Sequence, residues 1–401
     1  MRQRPMRFGV FTSPWHVPGR NPTLHFQQDL ELCEHLDRLG FDEIWWGEHH
    51  SGGMELVAAP DVFVAAAAER TRRLMLGLGV TSLPYHHPLI VADRITMLDH
   101  LTRGRVVFGF GPGSLVQDSQ MMGLDVNDAR PRLEASVDAI VRLLEDDEPV
   151  NVETEWFTLR DARLNLHPFT YPRMELATAS IRSPSGPRLA GRYGMSLLSL
   201  APTEGAGFEF LKDTWRLTED EAAQAGRCVR RDDWRVVATV HIAPKLEEAV
   251  EEARYGFDGI SRFWAAARSG PPAEVDIEDL IAAKTHEERV HAANAATLVI
   301  GTPQMAIDLI ERLREQSGGF GTFLISLADI ADRRARLRSL ELFAHEVIPH
   351  FQGTSARPTT SWDRLFTARQ ETGALFRAAQ DNFTARHEQE QGAKARPRAG
   401  G

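Results

Sequence analysis

The chain has 401 residues, 42% of them hydrophobic, and a formal net charge of -10, a balance that argues against a polyanion-binding surface, so nucleic acid is not an expected partner. Its two cysteines, Cys33 and Cys228, lie far apart without CxxC spacing, which excludes a disulfide framework and a cysteine zinc site and fits a reducing, cytoplasmic setting. Length alone predicts two or three domains of ~150 residues, unless the chain is one of the α/β barrels, which exceed that size as single units.

The N-terminus, "MRQRPMRFGVFTSPWH", turns polar before an apolar run of signal-peptide length develops, and no window reaches the ~18 uninterrupted apolar residues of a membrane span. A first strand is read at "RFGVF" (7–11). Then "TLHFQQDLELCEHLDRLG" repeats Leu24, Leu30, Cys33, Leu36 and Leu39 at helical spacing and closes on Gly40, a helix stop. "EIWW" (43–46) and "LMLGLGVT" (74–81) are the next strands; "HPLIVADRITMLDHLTRG" is a second helix ending on Gly104, and "VVFGF" (106–110) follows. The stretch 150–172 alternates like a hairpin. "MELATA" (174–179), "MSLLSL" (195–200), "RVVATVHI" (235–242) and "GTFLISL" (321–327) complete the set, with a charged, mainly helical insertion expected over 243–297. Eight apolar runs alternating with amphipathic segments predict a (β/α)8 barrel. No GxGxxG follows the first strand, and "GFGPG" has the wrong spacing for a dinucleotide loop, so a doubly wound sheet fits less well. After "LFAHEVIPHFQG" the composition changes. The division read is a barrel over 1–353 and an extension over 354–401. The extension carries one amphipathic helix at about 361–388, bearing Trp362, Leu365, Phe366, Leu375, Phe376 and Phe383, then a polar end expected to be disordered.

In such a barrel the C-terminal ends of the strands line the active-site face. The first four strands end in "FTSPWHVPGR", "GEHHSGG", "VTSLPYHHP" and "GFGPGS", which place His16, His49, His50, His86 and His87 on one rim beside Trp15 and Tyr85. Several rim histidines can ligate a divalent ion. Against this, no HxH follows the first strand and no obvious carboxylate at later strand ends completes a shell, so no metal is expected. The plain alternative for His50 and His86 is a hydrogen bond within their own loop. Trp15, Trp45, Trp46 and Tyr85 point to an apolar pocket.

"GFDEIWWGEHH", "LGLGVTSLPYHHPLIVADRITMLDHLTRGRVVFGFGPG", "SPSGPRLAGRYG" and "LVIGTPQMAIDLIERL" together resemble the bacterial luciferase-like flavin monooxygenases. "SPSGP", "GGFGTFLIS" and "LFAHEVIPHFQG" are most similar to the limonene 1,2-monooxygenase-like and diketocamphane-type branch of that family. The resemblance covers about residues 6–353. It implies a luciferase-like (β/α)8 barrel that binds reduced FMN at its C-terminal face and is supplied by a separate flavin reductase. Oxygen would add at the flavin C4a to give a (hydro)peroxide that oxygenates a small apolar organic substrate; Baeyer-Villiger reaction, epoxidation and hydroxylation all stay open. The family's flavin-edge histidine falls on His49, with His50 beside it as the second catalytic candidate. Its non-prolyl cis peptide falls on Gly79–Val80.

The phosphate end is expected on "IRSPSGPRLAG", where the Ser183 and Ser185 hydroxyls, the Gly186 amide and the helix N-terminus can donate to an anion, and Arg182 or Arg188 can add charge. Arg130 is a further flavin contact, and a serine-capped helix with Pro187 in its first turn is compatible with all of this. Gly111 and Pro112 stand where bacterial luciferase carries a reactive cysteine and an arginine, which counts against light emission; Gly111 remains an expected cofactor neighbour. The expected substrate pocket is Trp15, His16, Tyr85 and His86. Two other functions stay open: an F420-dependent hydride-transferring oxidoreductase of the same fold, and a non-catalytic flavin-binding protein. Family members usually pair barrels, so a homodimer is expected, with residues 362–383 either covering the barrel bottom or reaching a partner.

Overall fold

The structure, a computed structural model, describes residues 5–181, 183–200, 205–267, 284–296 and 298–394. Its strands are β1 (Arg7–Trp15), β2 (Glu43–Trp46), β3 (Met75–Ser82), β4 (Val106–Gly111), β5 (Val150–Glu153), β6 (Thr158–Ala162), β7 (Glu175–Ser180), β8 (Ser196–Ser199), β9 (Trp234–Ile242), β10 (Leu298–Gly301) and β11 (Thr322–Ala328). Eight of them form a closed parallel barrel in the order β1, β2, β3, β4, β7, β8, β9, β11, with β11 returning to β1. β5 and β6 form the separate antiparallel hairpin. β10 was not expected from the sequence: four residues directly after the helical insertion pair with the upper half of β9, Leu298 opposite Thr239 and Gly301 opposite Ile242.

The double tryptophan in "EIWW" follows from strand alternation, which sends successive side chains to opposite faces. Trp45 points into the barrel, where it joins Phe11, Val107, Ala177, Leu198, Val237 and Leu324. Its indole occupies the space left by glycines: a Cβ at Gly77 would lie 2.2 Å from the ring, and one at Gly109 2.9 Å. Trp46 points outward and packs on Phe63 of the helix Pro60–Arg70, ring centroids 4.2 Å apart. Both indoles are fully buried, so they are core and not pocket lining, contrary to expectation.

The N-terminal end of the barrel is closed by charge. Arg235, fully buried, donates from Nε to Glu43 at 2.6 Å and from Nη1 to Glu175 at 2.7 Å. Trp45 Nε1 donates to the same Glu43 at 2.6 Å, and the guanidinium lies 5.0 Å from the Trp45 ring.

The chain divides into two units, Met1–Phe351 and Gln352–Gly401. In the second, two helices, Ala356–Thr367 and Arg369–Lys394, replace the single helix expected over 361–388. The interruption is at Ala368 (φ -92°, ψ 6°), where the sequence has neither proline nor glycine to announce it. The expected disordered end beyond Lys394 lies outside the described residues.

Candidate active site

The loop after β2 carries "GEHH" across the C-terminal rim, and each of its three ionisable side chains is held. His49 Nδ1 lies 3.0 Å from Asp118 Oδ2 and its Nε2 lies 3.3 Å from Glu55 Oε2. Asp118 comes from the short helix Val116–Met121 after β4, and Glu55 is bridged to the end of β1 through a backbone pairing with Trp15 and the Trp15 Nε1 donor. Burial is the largest influence on the His49 pKa and lowers it. The hydrogen bond to Asp118 and the charges of Glu55, Asp118 and Glu48 together outweigh it, so the net shift is upward. Asp118 answers in the opposite sense: burial raises its pKa, but the bonds from His49, Ser51 and the His50 amide hold it below the ordinary carboxylate value.

His50 donates its backbone N–H to Asp118 Oδ1 at 3.2 Å, and its Nε2 lies 3.0 Å from Glu48 Oε1. His86 Nε2 meets the same oxygen at 2.7 Å, and Glu48 Oε2 accepts the Ser82 amide at 2.8 Å. One buried carboxylate thus ties the loops after β2 and β3 together. An ionised Glu48 accepts only, so a neutral imidazole bonded to it carries its proton on Nε2. The Tyr85 hydroxyl pairs with Ser119 at 3.2 Å and its ring stands edge-on to His50; burial raises the phenol pKa.

Beside these residues the peptide Gly79–Val80 is cis, at the position expected. The β3–β4 register is interrupted between Leu78 and Thr81. A Cβ on Gly111 would come within 3.0 Å of Val80 Cγ2, so glycine permits this approach of the two strand ends.

At the end of β7 a cleft brings together Ser183 and Ser185 with Arg130, Arg188 and Arg192, and with Glu134 as its one acid. Arg188 Nε also lies 3.3 Å from Glu221. Gly186 lets the helix Ser185–Tyr193 press on β7, since a Cβ there would sit 2.4 Å from the Ala179 carbonyl oxygen. Arg182 lies outside the described residues.

Three of the four expected pocket residues have partners of their own elsewhere in the structure. His16 is buried between Asp29 (3.0 Å) and Asp329 (3.3 Å), with its ring stacked on His25. Burial alone would lower its pKa, but the two carboxylates push it up to about 9. The first strand runs to Trp15, four residues past its expected end, with a register shift between Thr12 and Trp15, so His16 directly follows the strand. His86 is committed to Glu48. Trp15 is buried against Phe263, ring centroids 6.0 Å apart.

Among the described residues His16, His25 and Asp329 lie close enough to share a metal ion. A protonated His16, together with Arg336 at 2.5 Å from Asp329, already balances the two carboxylates. Glu48 stood unassigned inside the quoted motif, and Glu55 and Asp118 were missed. The signal for Asp118 was its place in the loop region after β4; the 69 residues between it and His49 hid the pairing.

The family model for luciferase-like monooxygenases matches residues 6–319. The chain is 44% identical over 383 residues to limonene 1,2-monooxygenase of Rhodococcus erythropolis, covering 96% of each chain. It is 43% identical over 357 residues to 4-hydroxyprotoasukamycin monooxygenase of Streptomyces nodosus subsp. asukaensis, covering 88% of this chain and 95% of the relative. In fold it resembles the oxygenating constituent of 3,6-diketocamphane monooxygenase of Pseudomonas putida, a Type II Baeyer-Villiger monooxygenase solved with FMN. The TM-score is 0.66 at 24% identity, over 86% of this chain and 98% of the other. The chain belongs to the luciferase-like monooxygenase family of oxidoreductases.

Proposed function

We propose that the protein is the oxygenase of a two-component system, taking reduced FMN from a separate flavin reductase and using O2 to oxygenate a small apolar organic substrate in the cytoplasm. The observation that carries this reading is the 44% identity to limonene 1,2-monooxygenase across nearly the whole of both chains. The donor set fits the cofactor. The cleft offers two serine hydroxyls and three arginines against one glutamate, suited to a phosphate monoester, and Gly79, Val80 and Gly111 would adjoin the ring system.

Bound reduced flavin would supply two electrons and activate O2 at its C4a carbon. The remaining work falls to the protein. His49, its proton affinity raised by the carboxylates around it, holds a proton at the rim near neutral pH. Asp118 and Glu55 fix that ring from both nitrogens, while Glu48 fixes His50. The packed layer of Trp45, Phe11 and Leu324 below keeps water from reaching the site through the barrel.

The test is turnover under 18O2 with limonene and cyclic ketones as probes and an NADH-driven flavin reductase as the source of reduced FMN. Mass spectrometry should find one labelled oxygen in the product. Anaerobic, substrate-dependent F420 turnover without FMN activity would replace the reading with hydride transfer. Tight FMN binding with neither reaction would leave a non-catalytic flavin-binding protein.

A homodimer is part of the proposal. Val62 on the helix Pro60–Arg70 and Ile90, Met97 and Leu101 along the neighbouring Pro88–Thr102 are 49–68% exposed, and offsets of seven and four residues place the last three on one stripe. Light scattering at micromolar concentration should give twice the chain mass; a monomer mass would refute it. No described helix is long and apolar enough to cross a membrane.

A further inference from the structure

Glu48 is only 4% exposed, and its bonds to His50, His86 and the Ser82 amide hold the rim in place. It also lines a cavity of about 40 Å³ behind the barrel wall, together with Thr81 and His86. The Thr81 hydroxyl is buried and has no hydrogen-bond partner among the described residues. A cavity of this size and polarity accommodates one or two waters, which require about 10–15 Å³ each and two or more polar neighbours. Its lining also includes the exposed Ala58 and Ala59 and the Asp61–Arg94 pair, 3.5 Å apart. The cavity therefore has exposed residues in its lining as well as Glu48, which bonds to His50.

We propose that this cavity is the proton inlet of the active site. A proton from solvent, carried by water in it, converts the Glu48 carboxylate to the carboxylic acid; Glu48 passes that proton 3.0 Å to the unprotonated Nε2 of His50 in its Nδ1–H form and is ionised again, His50 releases its Nδ1 proton at the rim, and return of the ring to the Nδ1–H form readies it for the next proton. No electron moves. His86, 2.7 Å from the same Glu48 oxygen, positions the carboxylate. The inference rests on the proposed monooxygenation: anionic reduced flavin, O2, substrate and one proton become oxidised flavin, oxygenated substrate and water, so each turnover takes one proton from solvent into a site that must exclude bulk water. The charged groups facing Glu48 are His49, His50 and His86 on the rim loops and the Asp61–Arg94 pair across the cavity.

The first test needs no cofactor. Imidazole 15N NMR of the full-length protein measures exchange of the His50 Nε2 proton with water in the wild type, in Glu48→Gln, which keeps the shape but carries no proton, and in Ala59→Leu, which narrows the cavity mouth and leaves the rim untouched. Both variants should slow exchange, Glu48→Gln by about a hundredfold, the lower end of the range for loss of a positioned acid or base. Unchanged exchange in both overturns the inlet. With reduced FMN supplied, Glu48→Ala should lose turnover and regain it with added formate, a small acid that substitutes for the missing carboxyl. A Glu48→Gln protein with wild-type exchange and wild-type turnover would make Glu48 a positioning residue only and overturn the route. If the wild type does not turn over reduced FMN, the monooxygenase reading fails, and the exchange rates still decide the inlet.

Discussion

Both ends of the barrel bury carboxylates, and they neutralise them with different partners. At the N-terminal end Glu43 and Glu175 meet Arg235, a guanidinium whose proton affinity its two partners raise further against the effect of burial. At the C-terminal rim Glu48, Glu55 and Asp118 meet His49, His50 and His86, imidazoles that can both accept and donate a proton. One end is a fixed closure and the other a proton-handling surface, although both are buried ionic networks on the same eight strands. The counter-ion separates stability from chemistry.

The sharpest way to break this contrast is at the fixed end. Arg235→Met should destabilise the fold by up to about 3–5 kcal/mol, because it takes from buried Glu43 its buried guanidinium and leaves it only the partly exposed Arg7, 3.6 Å away. Urea unfolding measures it, and a loss under about 1 kcal/mol, the worth of an ordinary surface pair, would mean the closure is not structural. At the rim the effect should move from stability to rate. His49→Ala should lower turnover by about 10²-fold or more with little change in the unfolding midpoint. Equal damage to both quantities would erase the distinction.

A third test uses a histidine outside both of these networks, His16, which directly follows β1. His16 has its pKa raised to about 9, above its ordinary value of about 6.5, so it binds a proton more tightly folded than unfolded. Its contribution to stability is therefore fully present below about pH 6.5 and is lost as pH rises through about 9. Denaturation at stepped pH should show that decline in the wild type and a flatter curve in His16→Gln. The rim points the same way for His49, whose shift is also upward, and the opposite way for Asp118, whose stabilisation is lost as pH falls through its depressed pKa.

Most of the barrel was legible because a strand buried on both faces reads as a short apolar run, and all eight barrel strands were placed within a residue or two, except the C-terminal end of β1. β10 was not legible, since four residues after a charged insertion carry too little pattern. "GEHH" could be placed on the rim from its position after β2 alone. Its partners could not: Glu55 and Asp118 reach His49 through the closure of the barrel, which brings residues far apart in the chain to one rim. His16 was assigned to the pocket because it stands in the stretch after the first strand, and its partners Asp29 and Asp329 could not be read from that position. Trp45 and Trp46 were misread as well, since aromatic side chains beside a site motif look like lining until the glycines that house them are known.

The smallest expected effect sharpens the comparison most specifically, because it concerns arginines whose balance differs from that of Arg235. In the cleft at the end of β7, among the described residues, Arg130, Arg188 and Arg192 outnumber Glu134 even with Glu221 paired to Arg188, whereas Arg235 is matched by two glutamates. An internally matched arginine closes a fold; an excess of arginine around serine hydroxyls attracts an anion from outside. Ser185→Ala removes one neutral donor from that set, a loss of about 1 kcal/mol, equivalent to about fivefold in dissociation constant. It should therefore weaken FMN binding by that factor and leave riboflavin, which lacks the phosphate, unaffected in parallel titrations. Equal weakening of both would place Ser185 against the ring system and leave the excess positive charge of the cleft without its anion. A selective loss for FMN would set the cleft apart from both ends of the barrel as the place where the protein leaves a charge for its ligand to complete.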